Sequence, residues 1–416
     1  MCGEGIFEQT IKDVEKIKIL QINAVCGIAS TGRLTQELAE AIEQAGHQSF
    51  VAYSMGTSNY SQTYLIGNWL DKKVHTFLSR IFGLPGHYSF YSTRKLLKYI
   101  ETLSPDIVHL GNLHSNFVNI PMLLKYLASK DIATVVTLHD CFFYTGKCCH
   151  YTITGCYRWQ EECGKCPRVH QDNISWFFDR TKKMLTDKKV GFQNIPRLAI
   201  VGVSQWVANE ALKSILSTAK YIVPIYNWVD ISIFKPTASM VKNILGIEQK
   251  FVILGVSTLW SESKGISDFK ALAKKLDENA CIVLVGKMSG QESLPNNIIS
   301  IPNISNMHEL VKYYSMADVF FNPSIEETFG NVTAEALACG TPVIVYNTTA
   351  CPELVGERCG AVVDLHDVDT VYSITNEIHK KTKKYYSKYA VEFAHNNFEK
   401  EVCIQKYLDL YNLVLK

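Results

Sequence analysis

Short apolar runs alternate along this chain with longer stretches of mixed apolar and polar residues, and the alternation restarts once. Residues 17–22, IKILQI, have the length and content of a strand. The stretch LTQELAEAIEQAGH repeats apolar positions at helical spacing and stops at Gly46, and 50–53, FVAY, resumes as a strand. Residues 69–103 read as helix with a break at Gly83-Leu84-Pro85-Gly86. The runs 107–110, 133–138 and 198–203 are further strands, the last followed by a helix from Gln205 to Ser217. The second half begins again with strands at 251–256, 281–285 and 299–304, a helix at 308–316, the apolar run 317–321 and a strand at 343–345. Strand, helix and strand in repetition predict an α/β fold of two doubly wound sheets. Between the halves, 222–236 has little periodicity and holds Pro224 and Pro236, so a boundary is expected there. The expected domains are 1–224 and 225–399.

At 416 residues the chain is too long for one compact core, which supports the same division. The formal net charge of +2 creates no global field that would draw nucleic acid. No apolar run approaches the length of a membrane span. The opening residues, MCGEGIFEQTIKDVEK, lack the pattern of a secretory signal. Thirteen cysteines in that setting predict a reducing, cytoplasmic compartment with thiols free or metal-bound.

The stretch with the most chemistry is Asn322–Val345, NPSIEETFGNVTAEALACGTPVIV. Phe329-Gly330-Asn331 reads as a tight turn opening a helix that stops at Gly340, with Pro342 beyond it. A loop entering a helix offers backbone N–H groups and the positive end of the dipole, which suits a phosphate. Glu327 and Glu335, eight positions apart, would repel that phosphate, so hydroxyl groups of a sugar or ribose are their expected partners. An ordinary β-α-β unit with solvated glutamates has the same pattern.

PSIEETFG…EALACGTPVI resembles the donor-site signature of retaining GT-B glycosyltransferases of the family 4 type, which build polysaccharides. The resemblance implies two Rossmann-like domains facing a cleft, with the closing helix, 400–416, packed back on the first domain. It implies a glycosyl transfer from a nucleotide-diphosphate sugar to a hydroxyl of a saccharide or lipid-linked acceptor, with retained configuration. No cofactor or metal is implied for catalysis. On the donor side it points to Gly32 and Arg33 in the first loop, to Lys264 beside Gly265, to Ile304 at the base, and to Phe329, Gly330, Asn331 and Glu335. Glu327 and His139, the latter in Thr-Leu-His-Asp at a strand end, are the expected catalytic residues. Asn112 and His114 resemble acceptor-side positions. Ile225-Tyr226-Asn227-Trp228-Val229-Asp230 through Pro236 resembles the interdomain hinge. One departure stands out: Leu259 occupies the place of an arginine that, with the lysine, neutralises the diphosphate, so Arg33, backbone amides or the helix dipole must meet part of that charge.

CCHYTITGCYRWQEECGKCP carries a C-x2-C pair with further cysteines at zinc-ligand spacing. The expected set is Cys149, Cys156, Cys163 and Cys166, with Cys148 or His150 as substitutes; two disulfides or plain buried thiols are the alternatives. The closed four-thiolate site would be structural. The helical stretch 69–103 mixes Lys72, Lys73 and Arg80 with Trp69 and Phe77, a composition suited to the inner face of an anionic membrane or to plain solvent. Two other functions fit the double-sheet pattern: a sugar-nucleotide epimerase, and a non-catalytic subunit that binds sugar nucleotides.

Overall fold

The computed structural model describes residues 16–290 and 293–416. Seven parallel strands form the first sheet: β1 (Lys18–Ile22), β2 (Gln48–Tyr53), β3 (Thr63–Leu65), β4 (Ile107–Leu110), β5 (Ala133–Leu138), β6 (Leu198–Gly202) and β7 (Tyr221–Pro224), in the order 3-2-1-4-5-6-7. Six form the second: β8 (Phe251–Trp260), β9 (Ala280–Met288), β10 (Ile298–Ile301), β11 (Val319–Asn322), β12 (Val343–Tyr346) and β13 (Gly360–Val363), in the order 10-9-8-11-12-13. Helices cover both faces of each sheet. The central strands are mostly apolar because neither face meets solvent: every residue of β5, ATVVTL, is buried, its two threonines included. Strand order reverses between β1 and β4 in one sheet and between β8 and β11 in the other. In open sheets, ligands bind outside the carboxyl ends of strands at such reversals.

The helical stretch after β3 is two helices, Trp69–Phe82 and Phe90–Leu103, separated at the expected glycine-proline break. The first loop is shorter than its composition suggests. The helix after β1 begins at Ala29, so Gly32 and Arg33 lie in its opening turns.

The carboxyl-terminal stretch is also two helices, Lys383–Phe398 and Lys400–Leu415, because Glu399 adopts an extended backbone. At that point the chain crosses between lobes: Val229 N–H donates to the Phe398 carbonyl at 2.7 Å, so the two crossings lie side by side. The last helix turns Cys403, Ile404, Tyr407, Leu410, Tyr411 and Val414 onto the first sheet, packed with Ile19, Val135 and Val201. Each large apolar side chain buried this way contributes about 1.5–3 kcal/mol. Two of its tyrosines also bind polar groups of the sheet. Tyr411 Oη lies 2.7 Å from His109 Nδ1, Tyr407 Oη lies 3.1 Å from Thr137 Oγ1, and His109 Nε2 lies 2.7 Å from the same Thr137 oxygen. His109, at a strand end, is therefore a core residue, and burial pushes its pKa down to about 3. Among the described residues no helix is long and apolar enough to cross a membrane.

Candidate active site

A cleft of about 830 Å³ lies between the two sheets. Its lining comes from the carboxyl ends of β1, β8, β10 and β11, so both strand-order reversals open onto it. Of the sequence-predicted residues, Arg33, Lys264, Ile304, Glu327, Gly330, Asn331 and Glu335 line it.

The β11 loop is held by its own side chains. The Asn322 amide donates to Thr333 Oγ1 at 2.9 Å, and Asn322 Oδ1 accepts from Ser324 N–H at 3.1 Å. Gly330 then opens the helix Asn331–Ala338 with φ of 102°, a left-handed conformation that costs glycine little. Lys264 is pressed against this loop from β8. Gly265 follows it at φ of 72°, and a Cβ there would lie 2.4 Å from Pro323, so only glycine allows the approach. Ile325 N–H donates to the Ser263 carbonyl at 3.1 Å and closes the same contact.

The charges of the cleft are paired crosswise. Lys264 Nζ donates to Glu327 Oε1 at 2.5 Å, and Arg33 Nη2 stands 3.5 Å from Glu335 Oε1. Glu335 is buried in a helix made otherwise of small and apolar residues, and Tyr314 Oη–H donates to its other oxygen at 2.8 Å. Burial pushes the Glu335 carboxyl above its usual range, against the pull of Arg33 and Tyr314. Leu259, half-exposed, lines the cleft where the resemblance expects an arginine. The Arg33 cation is the one that reaches this space from the first lobe.

Gly32 and Phe329 do not line the cleft. Gly32 is buried with Val25 and the Cys26 backbone at its Cα, and Phe329 packs against Tyr226 and Phe398. His139 lines a separate void of about 20 Å³ with Gln21, Thr137 and Asn227. Its carbonyl accepts from Thr328 Oγ1–H at 2.8 Å, and its ring Nδ1 is buried with no hydrogen-bond partner among the described residues. Burial pushes its pKa down to about 4, against the neighbouring Asp140 carboxylate, so the ring is neutral at pH 7. His114 Nε2 lies 3.0 Å from Asp140 Oδ2.

Sequence reasoning missed Tyr314, which orients Glu335, and Asn331's bridging role. The Asn331 amide donates to Ser30 Oγ at 2.5 Å, and its oxygen accepts from the Asn227 amide at 3.2 Å. It also missed two lobe-to-lobe contacts. The Glu326 carboxylate accepts from Thr152 Oγ1–H and Ile153 N–H at 2.5 and 2.8 Å, and Glu353 caps the helix Gln205–Leu212 through the N–H groups of Gln205 and Trp206. Tyr314 carries a helix-face signal, since it falls on the buried side of Met307–Met316 with Val311. The lobe contacts leave no local signal.

A sequence profile described as Glycosyltransferase Family 4 matches residues 31–233, and one described as Glycosyl transferases group 1 matches residues 240–391. Together the two profiles span most of residues 31–391, and the chain belongs to this family of glycosyltransferases. Over 201 residues the chain is 28% identical to the D-inositol 3-phosphate glycosyltransferase of Mycobacterium sp. (strain KMS), covering 42% of this chain and 46% of that protein. It thus spans about half the length of the curated relatives it matches. Its fold matches the sucrose-phosphate synthase of Thermosynechococcus elongatus with TM-score 0.69 at 17% identity, over 95% of this chain and 98% of that one. It also matches the UDP-glucose complex of HepE from Anabaena with TM-score 0.63 at 16% identity, over 95% and 100% of the two chains.

In the cysteine segment the structure groups the thiols differently from the expected ligand set. Adjacent residues of an irregular loop point different ways, and Cys149 turns from the other three: its thiol groups with His114 and Asp140, their ligand atoms all within 4.8 Å of one another. Cys148 takes its place, lining a void of about 20 Å³ with Cys156, Cys163 and Cys166. Among the described residues every cysteine is a free thiol.

Proposed function

We propose that this protein moves a glycosyl group from a nucleotide-diphosphate sugar to a hydroxyl of a saccharide or lipid-linked acceptor, retaining the anomeric configuration. The observation that carries this is the crosswise pairing of Lys264 with Glu327 and Arg33 with Glu335 in a cleft large enough for a sugar nucleotide. An incoming diphosphate competes for the two cations, and the two freed carboxylates become acceptors for hydroxyl groups. In this assignment Lys264, Arg33 and the N–H groups at Gly330 and Asn331 stabilise the charge that builds on the departing phosphate. Glu335 takes the ribose hydroxyls, Glu327 the hydroxyls of the transferred sugar, and the backbone at Ile304 the base. His139, neutral, orients the sugar from the first lobe. The fixed cations and amides do the work that a divalent ion does in other transferases. The likeness in fold to a protein held with UDP-glucose supports a nucleotide-sugar donor.

The acceptor side also carries a surface suited to an anionic bilayer, in keeping with action at the inner face of a membrane. Trp69, Phe77, Trp176 and Phe177 are exposed together, around a groove of about 530 Å³ that Lys72, Lys73 and Arg80 also line. Lys73 Nζ sits 4.6 Å over the Trp69 ring and the Arg80 guanidinium 5.9 Å from that of Trp176. Aromatic rings beside cations favour the headgroup region.

Incubation with a panel of nucleotide sugars, with and without saccharide and lipid-linked acceptors, tests the activity. Free nucleoside diphosphate that appears only with acceptor, undiminished by EDTA, is the expected result. A converted sugar nucleotide without acceptor would make the protein an epimerase, and binding without conversion a carrier subunit.

A further inference from the structure

We infer that Cys148, Cys156, Cys163 and Cys166 form a closed structural site for zinc. The segment from 140 to 180 contains one three-residue 3-10 turn, Arg158–Gln160, and no other regular element. A loop of that length does not hold its own shape through backbone pairing. The four thiols are spread over residues 148–166 of this loop and line one void of about 20 Å³. That is room for a single water or ion. A water there would meet only thiols, which are weak partners, whereas four thiolates at about 2.3 Å are the preferred tetrahedral shell of zinc.

The backbone that carries the thiols is held by side chains of the same segment. Cys166 N–H donates to Asp179 Oδ2 at 2.7 Å, Arg158 Nη1 donates to the Gly164 carbonyl at 2.8 Å, and Thr145 Oγ1 donates to the Cys148 carbonyl at 2.7 Å. A zinc centre with four thiolates is doubly negative, and the cations Lys147 and Arg158 line the same void. Lys147 is buried and anchors the loop through the carbonyls of Val169, Gln171 and Asn173. Among the described residues no three of the four sulfurs lie within 4.8 Å of one another. Zinc would draw them to about 3.8 Å, the edge of a tetrahedron with that bond length, through rotation about χ1. The ion would also fix Thr152 and Ile153, which reach Glu326 in the other lobe.

The test is metal analysis of the full chain, expressed in zinc-supplemented medium and purified without chelator. About one zinc per chain is expected, retained in Cys149→Ser and His114→Ala and lost in Cys148→Ser and Cys163→Ser. Should the last two fail to fold, cobalt exchanged into the wild-type protein must give a thiolate charge-transfer band that Cys149→Ser leaves unchanged. Zinc below about 0.1 per chain, disulfides among these four cysteines by intact mass, or zinc lost with Cys149 instead of Cys148 would each overturn the site.

Discussion

Arg33 and Glu335 meet across the cleft, Nη2 to Oε1 at 3.5 Å, and join the opening turns of the first lobe to the donor-side helix of the second. Arg33 Nη1 also lies 3.0 Å from Met307 Sδ, so the guanidinium is held from the second lobe at two points. With Lys264 and Glu327 paired beside it, the cleft is close to neutral when empty.

Substituting either partner of the Lys264–Glu327 pair should separate chemistry from folding. Lys264→Ala and Glu327→Ala should each lower kcat by roughly 10²-fold or more, the scale seen when one preorganised charge-stabilising group is removed. Both side chains are partly exposed, so Tm should move little. Near-normal turnover in both variants would remove them from the site.

Glu335 should show a conflict between stability and binding. Its pKa is raised by burial, so its contribution is most favourable below the unfolded carboxyl range and is lost as pH rises through the folded value. At pH 7.5 Glu335→Gln, which keeps an oxygen for Tyr314, should therefore melt no lower than the wild type. The difference should narrow as pH falls towards the carboxyl range. Donor affinity should drop about tenfold or more if two hydroxyl contacts are lost. A glutamine variant that melts lower at pH 7.5 and binds donor normally would contradict both halves.

Three histidines with strongly lowered pKa values should govern acid stability. Burial pushes His75 and His109 down to about 3 and His139 to about 4. Each is neutral in the fold, so the stability they confer is complete above the ordinary histidine range and declines as pH falls from about 6.5 towards 4. Urea midpoints measured across that interval should fall steadily. The rate profile between pH 6 and 8 should show no inflection from His139, and an inflection abolished by His139→Asn would refute its neutral state.

Binding to vesicles of phosphatidylglycerol and phosphatidylcholine should depend on the patch around Trp69 and Trp176. Flotation at low salt should carry the wild-type protein with the vesicles. Lys72→Glu with Lys73→Glu should abolish it, and Trp69→Ala with Trp176→Ala should weaken what remains at high salt. Failure of the wild type to float on anionic vesicles would leave this surface to solvent.

The parts of the fold legible from sequence were those in which local chemistry and final position agree. ATVVTL carries no charge and no large polar side chain and is buried at every position; the glycine-proline break at 83–86 separates two helices as expected. The candidate site was legible where glycine alone serves, at Gly265 against Pro323 and at Gly330 with its φ of 102°. Illegible were the features set by pairing over distance. Whether Cys148 or Cys149 turns towards Cys166 depends on how the loop folds back, not on spacing. Phe329 sits inside the signature yet packs on Tyr226 and Phe398. The capping of Gln205 and Trp206 by Glu353 spans nearly 150 positions.

The return of the last helix to the first sheet has a consequence for biosynthesis. Strands made early wait for Ile404, Tyr407 and Tyr411 to seal one of their faces, and those residues leave the ribosome only after the whole second sheet. Until then the nascent amino-terminal lobe exposes Ile19, Val135 and Val201, and a ribosome that stalls before Lys400 would release a chain prone to clump.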